Sequence, residues 1–187
     1  MKKILQTALI LGLVCVVAAF SLALVNQLTQ AEIERRAREE LELALKQVFP
    51  QAEEFKEVEP EGLNLPWERE NFSLLQIFVV QAAGERVGFV FEATSTGYGG
   101  PIRLLIGISS RENELVGIQI LDHQETPGLG SNITSPDFIG QFYSKSLTDP
   151  FTIGEDIEAI AGATISSQAV TRACREVVSY LEEVENL

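Results

Sequence analysis

Three side-chain hydroxyls follow a turn of small residues near the C-terminal end of this 187-residue chain. The turn is Ala161-Gly162-Ala163, and the hydroxyls belong to Thr164, Ser166 and Ser167. A turn with so little side-chain bulk lets another molecule approach the backbone, and the helix predicted behind it offers unpaired N–H groups and a partial positive charge. Both properties suit a phosphate. The alternative is an ordinary helix start, with Ser166 or Ser167 as the N-cap.

Two other loops, at 94–101 and 123–130, are punctuated by glycine. Each follows an apolar segment, so each could lie at an edge of the sheet, where glycine lets a flat ligand approach the backbone. For each loop alone, an ordinary tight turn is the alternative, because Gly and Pro dominate turns. The chain has neither a GxxxxGKS/T nor a GxGxxG pattern, which excludes the common nucleotide loops. A hydrolase using Ser167 or Thr164 with His123 is disfavoured, because there is no G-x-S-x-G motif.

The order of the elements predicts an α+β domain with a mainly antiparallel sheet and a C-terminal helix. The predicted strands are 72–81, 87–94, 102–109 and 114–121, with a hairpin turn at Gly84-Glu85. A short helix is expected within 131–150. The C-terminal helix has apolar residues at helical spacing, namely Val170, Ala173, Cys174, Val177, Leu181 and Val184.

The N-terminal segment is a candidate membrane span. Residues 8–25 are apolar except for Gly12 and Ser21, close to the ~20 residues that a helix needs to cross the hydrocarbon core. A cleaved signal peptide is the alternative, with a passable cleavage site at 21–23. Lys2 and Lys3 precede the span, so the positive-inside rule predicts a single-pass protein of the inner (cytoplasmic) membrane whose soluble domain lies on the extracytoplasmic side.

Three parts are therefore expected: a transmembrane anchor at 1–30, a stalk helix with an acidic linker at 31–71, and a domain at 72–187. The stalk helix is predicted to end at Pro50. Its apolar stripe is expected to face a partner, and consists of Leu41, Ala44, Leu45 and Val48.

The charge and the cysteines exclude other classes. A net charge of −13, from 27 acidic and 14 basic residues, argues against a nucleic-acid partner. Cys15 lies in the apolar segment and Cys174 on the last helix, so they cannot pair, and no CxxC or zinc pattern is present. Neither a disulfide framework nor a metal site is predicted.

Three stretches together resemble the G subunit of the Rnf ion-translocating electron-transport complex. They are TSTGYGGPIRLLIGI at 94–108, LDHQETPGLGSNI at 121–133 and IAGATISSQAV at 160–170. The chain is similar, more distantly, to the C subunit of sodium-pumping NADH:quinone reductase. The likeness covers the N-terminal anchor and residues from about 72 to 180. It implies an FMN-binding domain in a membrane-anchored subunit of an ion-translocating oxidoreductase.

The resemblance also implies a covalently held FMN. In that family a flavin transferase joins the FMN phosphate to the threonine of a D-x-x-S/T-G-A-T pattern, and this threonine falls on Thr164. The chain has Glu158 at the Asp position and Ala161 at the S/T position. Ser166 and Ser167 are near enough to be alternative acceptors. The cofactor-binding residues expected are Ser95, Thr96, Gly97, Tyr98, Gly99, His123, Glu125, Thr126, Pro127, Gly128, Leu129, Gly130, Gly162, Ala163, Thr164, Ile165, Ser166 and Ser167.

The leading prediction is an electron relay through FMN. The chain lacks a nicotinamide fold and the cysteine sets of iron–sulfur clusters, so the electron donor and acceptor must sit on other subunits of a membrane complex. The alternative is a non-redox, membrane-tethered assembly or sensor module, in which the turn at 161–163 is only a helix start.

Overall fold

The computed structural model describes residues 2–58 and 68–184. Its contacts divide the chain into two compact units, Met1–Glu42 and Leu43–Leu187. Helix α1 (Lys2–Val48) makes up the described part of the first unit and continues into the second. The second unit holds all the strands that the structure describes.

Helix α1 runs without a break through the segments predicted separately as an anchor and a stalk. Within the described residues it is the one helix that is long and apolar enough to cross a membrane, judged by length and composition alone. Further along, Arg35 forms ion pairs with Glu32 and Glu39. Pairs three or four residues apart support an exposed helix. Pro50 follows its end, as predicted.

The second unit is built on one antiparallel sheet. Its described strands are β1 (Glu54–Val58), β2 (Glu68–Arg69), β3 (Phe72–Ala82), β4 (Glu85–Thr96), β5 (Pro101–Ser109), β6 (Glu114–Asp122) and β7 (Lys145–Ser146). Their order is β1-β3-β4-β5-β6-β7, with β2 also beside β3, and every pair is antiparallel. The predicted α+β class with a mainly antiparallel sheet is confirmed.

The four predicted strands are β3 to β6, with ends within two residues of the prediction. The turn between the first two lies at Ala83 and Gly84, whose φ angles of 51° and 77° match a tight hairpin turn, and not at Gly84-Glu85 as predicted. Strand β1 lies in the segment predicted as an acidic linker. Strands β1 and β2 are short and largely exposed, and β7 is two half-buried polar residues, so the sequence lacks the apolar pattern that marks a buried strand.

Helix α3 (Thr164–Val184) covers one face of the sheet. Its predicted apolar face is buried there, at Val170, Ala173, Cys174, Val177 and Leu181. The Val184 side chain lies outside the described part of the structure. Burial raises the pKa of the Cys174 thiol, so this cysteine stays protonated and unreactive at neutral pH.

The end of α1 covers the other face of the sheet. Ala44, Leu45 and Val48 are buried in the second unit, so the prediction that this stripe faces a partner is wrong for these residues. Gly107 of β5 makes room for the helix, since a Cβ atom there would lie 2.5 Å from Val48 Cγ1. The strand neighbours of Gly107 pack in the core under α3, and successive strand residues point to opposite faces.

The chain between β6 and α3 is held in place by short helices and by the ion pairs of Lys145 with Asp149 and Asp156. Helix α2 (Pro136–Ile139), between 3₁₀ turns at Gly130–Thr134 and Gly140–Phe142, confirms the short helix predicted in this segment. Asp156 then accepts hydrogen bonds from the N–H groups of Thr152 (2.6 Å) and Phe151 (3.2 Å). It also pairs with Lys145 Nζ at 3.0 Å, which ties the approach to α3 to strand β7.

We predict that Asp156→Asn destabilises the second unit in a pH-dependent way. Burial alone would raise the pKa of Asp156, but the N–H groups of Thr152 and Phe151 and the Lys145 ammonium outweigh it and hold the pKa below its ordinary value. A carboxyl group with a lowered folded pKa stabilises the fold above its unfolded pKa, and this contribution is lost as the pH falls through the folded pKa. At pH 7 we expect the free energy of unfolding to fall by about 1–3 kcal/mol.

Chemical denaturation of the detergent-solubilised protein between about pH 3 and 7 measures this, because unfolded Asp titrates near pH 4. The difference from wild type should shrink below about pH 4. Asp149→Asn is the control, since Asp149 lies 3.5 Å from the same Lys145 Nζ but accepts no backbone hydrogen bond from the described residues. A deficit of the same size at every pH would contradict the prediction.

Candidate functional site

One buried carboxylate joins the three loops singled out in the sequence. Glu125 lies in the loop after β6 and is 5% exposed. Its Oε1 accepts a hydrogen bond from the Gly99 N–H in the β4–β5 loop, at 3.1 Å. Its Oε2 accepts one from the Ser166 hydroxyl in the first turn of α3, at 2.7 Å. Loops that are far apart in the chain therefore meet at a single side chain.

The glycines of these loops are required by close approach. A Cβ atom on Gly97 would lie 2.2 Å from Glu125 Oε1, and one on Gly130 would lie 2.5 Å from Glu125 Oε2. A Cβ atom on Gly99 would lie 2.1 Å from the Gln124 carbonyl oxygen. A larger residue at 97 or 130 would displace the Glu125 carboxylate, and one at 99 would force the backbone of the two loops apart. The glycines thus serve the junction at Glu125.

Helix α3 begins at Thr164, so the prediction that Ser166 or Ser167 is its N-cap is wrong. Gly162, with φ +77°, turns the chain, and the Ala163 N–H donates to the Ile160 carbonyl at 2.9 Å. This turn starts the helix before the serines are reached. The Ser167 hydroxyl instead accepts from the Ile160 N–H at 3.1 Å and donates to the Ala163 carbonyl at 3.0 Å, which fastens the turn from inside.

The three loops enclose a cleft of ≈ 430 Å³ beside the start of α3. We call it the Thr164 cleft. Its lining consists of Tyr98, Glu125, Thr126, Leu129, Gly130, Gly162, Ala163, Thr164, Ile165 and Ser166. The volume lies within the usual range of small-molecule sites, about 300–1,000 Å³.

The Thr164 cleft combines apolar walls with groups that suit an anion. Tyr98, Leu129 and Ile165 are 73%, 48% and 48% exposed, so three large apolar side chains stand free around it. They offer flat and aliphatic surface to a planar ligand. Thr164 is exposed beside them at the N-terminal end of α3, where the first backbone N–H groups have no partner within the helix. A planar group carrying a phosphate matches this arrangement.

The remaining site residues from the sequence lie outside the lining. Gly97 and Gly99 sit behind Glu125, and His123 Nδ1 accepts a hydrogen bond from the Glu125 N–H at 3.3 Å. Ser167 is buried in the turn. Ser95, Thr96, Pro127 and Gly128 belong to the same loops and strand ends but do not line the cleft.

Sequence reasoning missed Arg172, which braces α3 against the end of β4. Its guanidinium donates to the Asn71 carbonyl and the Ser95 hydroxyl, both at 3.3 Å, and to the Thr96 carbonyl at 3.4 Å. No motif marks an arginine on the polar side of a helix for such a role. Arg172 therefore links α3 to the end of β4, next to the β4–β5 loop.

A larger cleft of ≈ 830 Å³ lies next to this site, and we call it the acidic cleft. It runs between α2 and the segment 154–160, and carboxyl groups of Asp137, Glu155, Asp156 and Glu158 line it. Asp156 is paired with Lys145, but the other three form no ion pair among the described residues, and together they repel a phosphate more than the single carboxylate of Glu125 in the Thr164 cleft does. The smaller Thr164 cleft is for this reason the better candidate for an anionic ligand.

Family models identify the kind of domain that contains both clefts. The FMN-binding domain model matches residues 97–179, which contain the whole lining of the Thr164 cleft, and the RnfG N-terminal region model matches residues 1–48. The solved C subunit of the Na(+)-translocating NADH-quinone reductase from Parabacteroides distasonis superposes with a TM-score of 0.50 at 20% identity, over 70% of this chain and 77% of that chain. At that identity the likeness concerns the fold alone. The second unit therefore contains an FMN-binding domain, at residues 97–179.

Full-length relatives give the family. The G subunit of the ion-translocating oxidoreductase complex of Methanosarcina acetivorans is 37% identical over 191 residues, covering 98% of this chain and 97% of the relative. The G subunit of the Na(+)-translocating ferredoxin:NAD(+) oxidoreductase complex of Acetobacterium woodii is 33% identical, covering 91% and 87%. The chain belongs to the family of ion-translocating oxidoreductase complex G subunits.

We predict that Gly99→Ala opens the junction at Glu125. The new methyl group would meet the Gln124 backbone oxygen, so the backbone has to shift and the Gly99 N–H loses Glu125 Oε1. Overpacking of this kind costs about 1–3 kcal/mol. Thermal unfolding followed by circular dichroism should show a lower Tm.

Gly140→Ala is the matched control, because a Cβ atom there meets nothing within 4 Å. It should change the stability by less than about 0.5 kcal/mol. If the two variants unfolded at the same temperature, close approach would not be the reason for glycine at position 99.

Proposed function

We propose that this protein is a membrane-anchored flavoprotein subunit that relays electrons through FMN bound covalently, by its phosphate, to the Thr164 hydroxyl. The observation that carries the proposal is the state of the three candidate hydroxyls. Thr164 is exposed in the cleft, whereas Ser166 and Ser167 are 1% and 0% exposed. Both serine hydroxyls also donate hydrogen bonds, to Glu125 and to the Ala163 carbonyl. This favours Thr164 over the two alternative acceptors.

The residues of the Thr164 cleft fit FMN. The phosphate ester would lie at the start of α3, where the helix dipole and free N–H groups stabilise negative charge. Tyr98 and Leu129 would hold the flat ring system, with Ile165 beside them. Gly162 is required by its φ of +77°, which turns the chain into α3 and which side chains rarely tolerate. Bound there, FMN would supply reversible uptake and release of electrons.

A flavin transferase would need to reach the turn before α3. Glu158 and Ala161, the two positions that depart from the D-x-x-S/T-G-A-T pattern, are both exposed. The backbone of Glu158 is held in place by Gln141, whose Oε1 accepts from the Glu158 N–H at 2.7 Å and whose Nε2 donates to its carbonyl at 3.2 Å. A surface turn of fixed shape suits recognition by an enzyme. Glutamate keeps the negative charge of the usual aspartate.

The partners would be other subunits of a membrane complex. Relatives named as G subunits of ion-translocating oxidoreductase complexes support this assembly. The apolar part of α1 would anchor the chain in the inner membrane, with Lys2 and Lys3 on the cytoplasmic side and the FMN-binding domain on the other. Covalent attachment suits that side, where lost FMN is not readily replaced.

We predict that Thr164→Val abolishes covalent flavin. Valine has the shape of threonine without the hydroxyl, and position 164 is exposed, so the fold should be unaffected. Thr164→Ser, which restores a hydroxyl, should regain at least part of the modification. Peptide mass spectrometry of protein matured beside its flavin transferase measures the FMN adduct on the peptide that contains residue 164.

Two results would count against this assignment. Full modification of Thr164→Val would move the bond to another hydroxyl, such as that of Ser166. If the wild-type protein carried no flavin mass, the electron-relay function would be rejected in favour of a non-redox assembly or sensor module.

We also predict that α1 stays uncleaved and holds the protein in the membrane. After an alkaline wash, the full-length chain should remain with the membrane pellet, whereas a variant lacking residues 2–30 should be found in the soluble fraction. N-terminal sequencing of the mature protein is the decisive measurement. A mature chain that begins near residue 24 would show that the segment is a signal peptide.

A further inference from the structure

Among the residues whose side chains the structure describes, two glutamates are buried in the second unit, and only one of them pairs with a cation. Glu92 on β4 is 3% exposed and pairs with Arg103, whose Nε lies 2.6 Å from Glu92 Oε1. Glu125 is 5% exposed and forms no ion pair within residues 2–58 and 68–184. Its two oxygens are occupied by a hydroxyl and a backbone N–H, which are dipoles and leave its charge uncompensated.

The position of Glu125 places this charge in the wall of the Thr164 cleft. Its side chain lines the cleft together with Ser166, its hydrogen-bond partner, and both are buried. A charge that is shielded from water acts more strongly on its neighbours than an exposed one. The apolar rim of Tyr98, Leu129 and Ile165 would shield it further once a ligand fills the space.

We propose that Glu125 is a potential-setting residue, whose buried carboxylate holds the reduction potential of a flavin in the Thr164 cleft at a more negative value. This inference rests on the proposed function. Adding an electron next to a fixed negative charge is unfavourable, so such a charge favours the oxidised form of the ligand. Glu125 thus has two separable roles: its hydrogen bonds position the loops, and its charge sets the potential.

Glu125→Gln separates the two roles. The amide oxygen of glutamine can accept from the Gly99 N–H, and its amide nitrogen can donate to the Ser166 oxygen. The loops should stay joined while the charge disappears. Glu125→Asp does the opposite, since it keeps the charge and shortens the side chain so that the hydrogen bonds are strained.

The experiment is a potentiometric titration of the full-length, flavin-loaded protein, after a mass spectrum has verified the adduct on Thr164. We expect Glu125→Gln to shift the midpoint potential to more positive values. A tenfold change in the equilibrium constant, which is about 59 mV for one electron, is the expected scale. The shift should persist in about 1 M salt, because a buried charge is screened far less than a surface charge.

Two variants serve as controls. Glu92→Gln removes a buried carboxylate that does not line the Thr164 cleft, and the Arg103 guanidinium it leaves unpaired is half-exposed to water, so its potential should shift much less than that of Glu125→Gln. Glu125→Asp should stay closer to wild type than Glu125→Gln does, even where it lowers the Tm. A purely structural role for Glu125 would give the reverse order, because the aspartate disturbs the hydrogen bonds more.

The outcomes are distinguishable. Equal potentials in wild type and folded Glu125→Gln would overturn the inference and leave the proposed function intact. A wild-type protein without the Thr164 adduct would overturn the proposed function, and the inference with it. If Glu125→Gln does not accumulate as a folded protein, Ser166→Ala is compared with Glu125→Asp, because both disturb the hydrogen bond between Ser166 and residue 125 and both keep the carboxylate. Both potentials should stay at or below the wild-type value, and a positive shift in both would assign the potential to the hydrogen bond and overturn the inference.

Discussion

The site depends on the two hydrogen bonds that the buried Glu125 carboxylate accepts. A carboxylate costs free energy to bury unless its oxygens find donors. Here the donors come from Gly99 and Ser166, on the two other loops. The carboxylate can be satisfied only when the β4–β5 loop, the loop after β6 and the start of α3 are all in place. The three loops that form the cleft are therefore held in position by the hydrogen bonds of Glu125.

The fold provides what this junction needs. Antiparallel strands β4, β5 and β6 bring two of the loops together at one end of the sheet, and the apolar face of α3 seats the helix on the core. Arg172 ties the helix to the end of β4. Charge then separates the two neighbouring clefts. Carboxyl groups dominate the larger one, while the start of α3 gives the smaller one its affinity for a phosphate.

The long strands and helix α3 could be predicted because their hydrophobic patterns are strong. Strands β3 to β6 are long and apolar, and α3 repeats apolar residues at helical spacing, so hydrophobic periodicity predicts both. Glycine content predicted the loops, but the reason for each glycine appears only with Glu125 in view. The N-cap prediction was wrong because the turn at Gly162 starts the helix earlier, so that Ser166 bonds to Glu125 and Ser167 bonds within the turn. The contacts of Arg172 and the pairing of β1 are long-range, and local pattern contains no signal for them.

We propose that the flavin binds in the Thr164 cleft, whose three loops meet at Glu125. A crystal structure of the flavin-loaded protein tests this most directly, because the two neighbouring clefts are clearly separate in their lining. We expect a phosphate ester at Thr164 Oγ1 and a ring system against Tyr98 and Leu129, with Glu125 still bonded to Gly99 and Ser166. A ring lying in the acidic cleft, or an ester on any other hydroxyl, would contradict it.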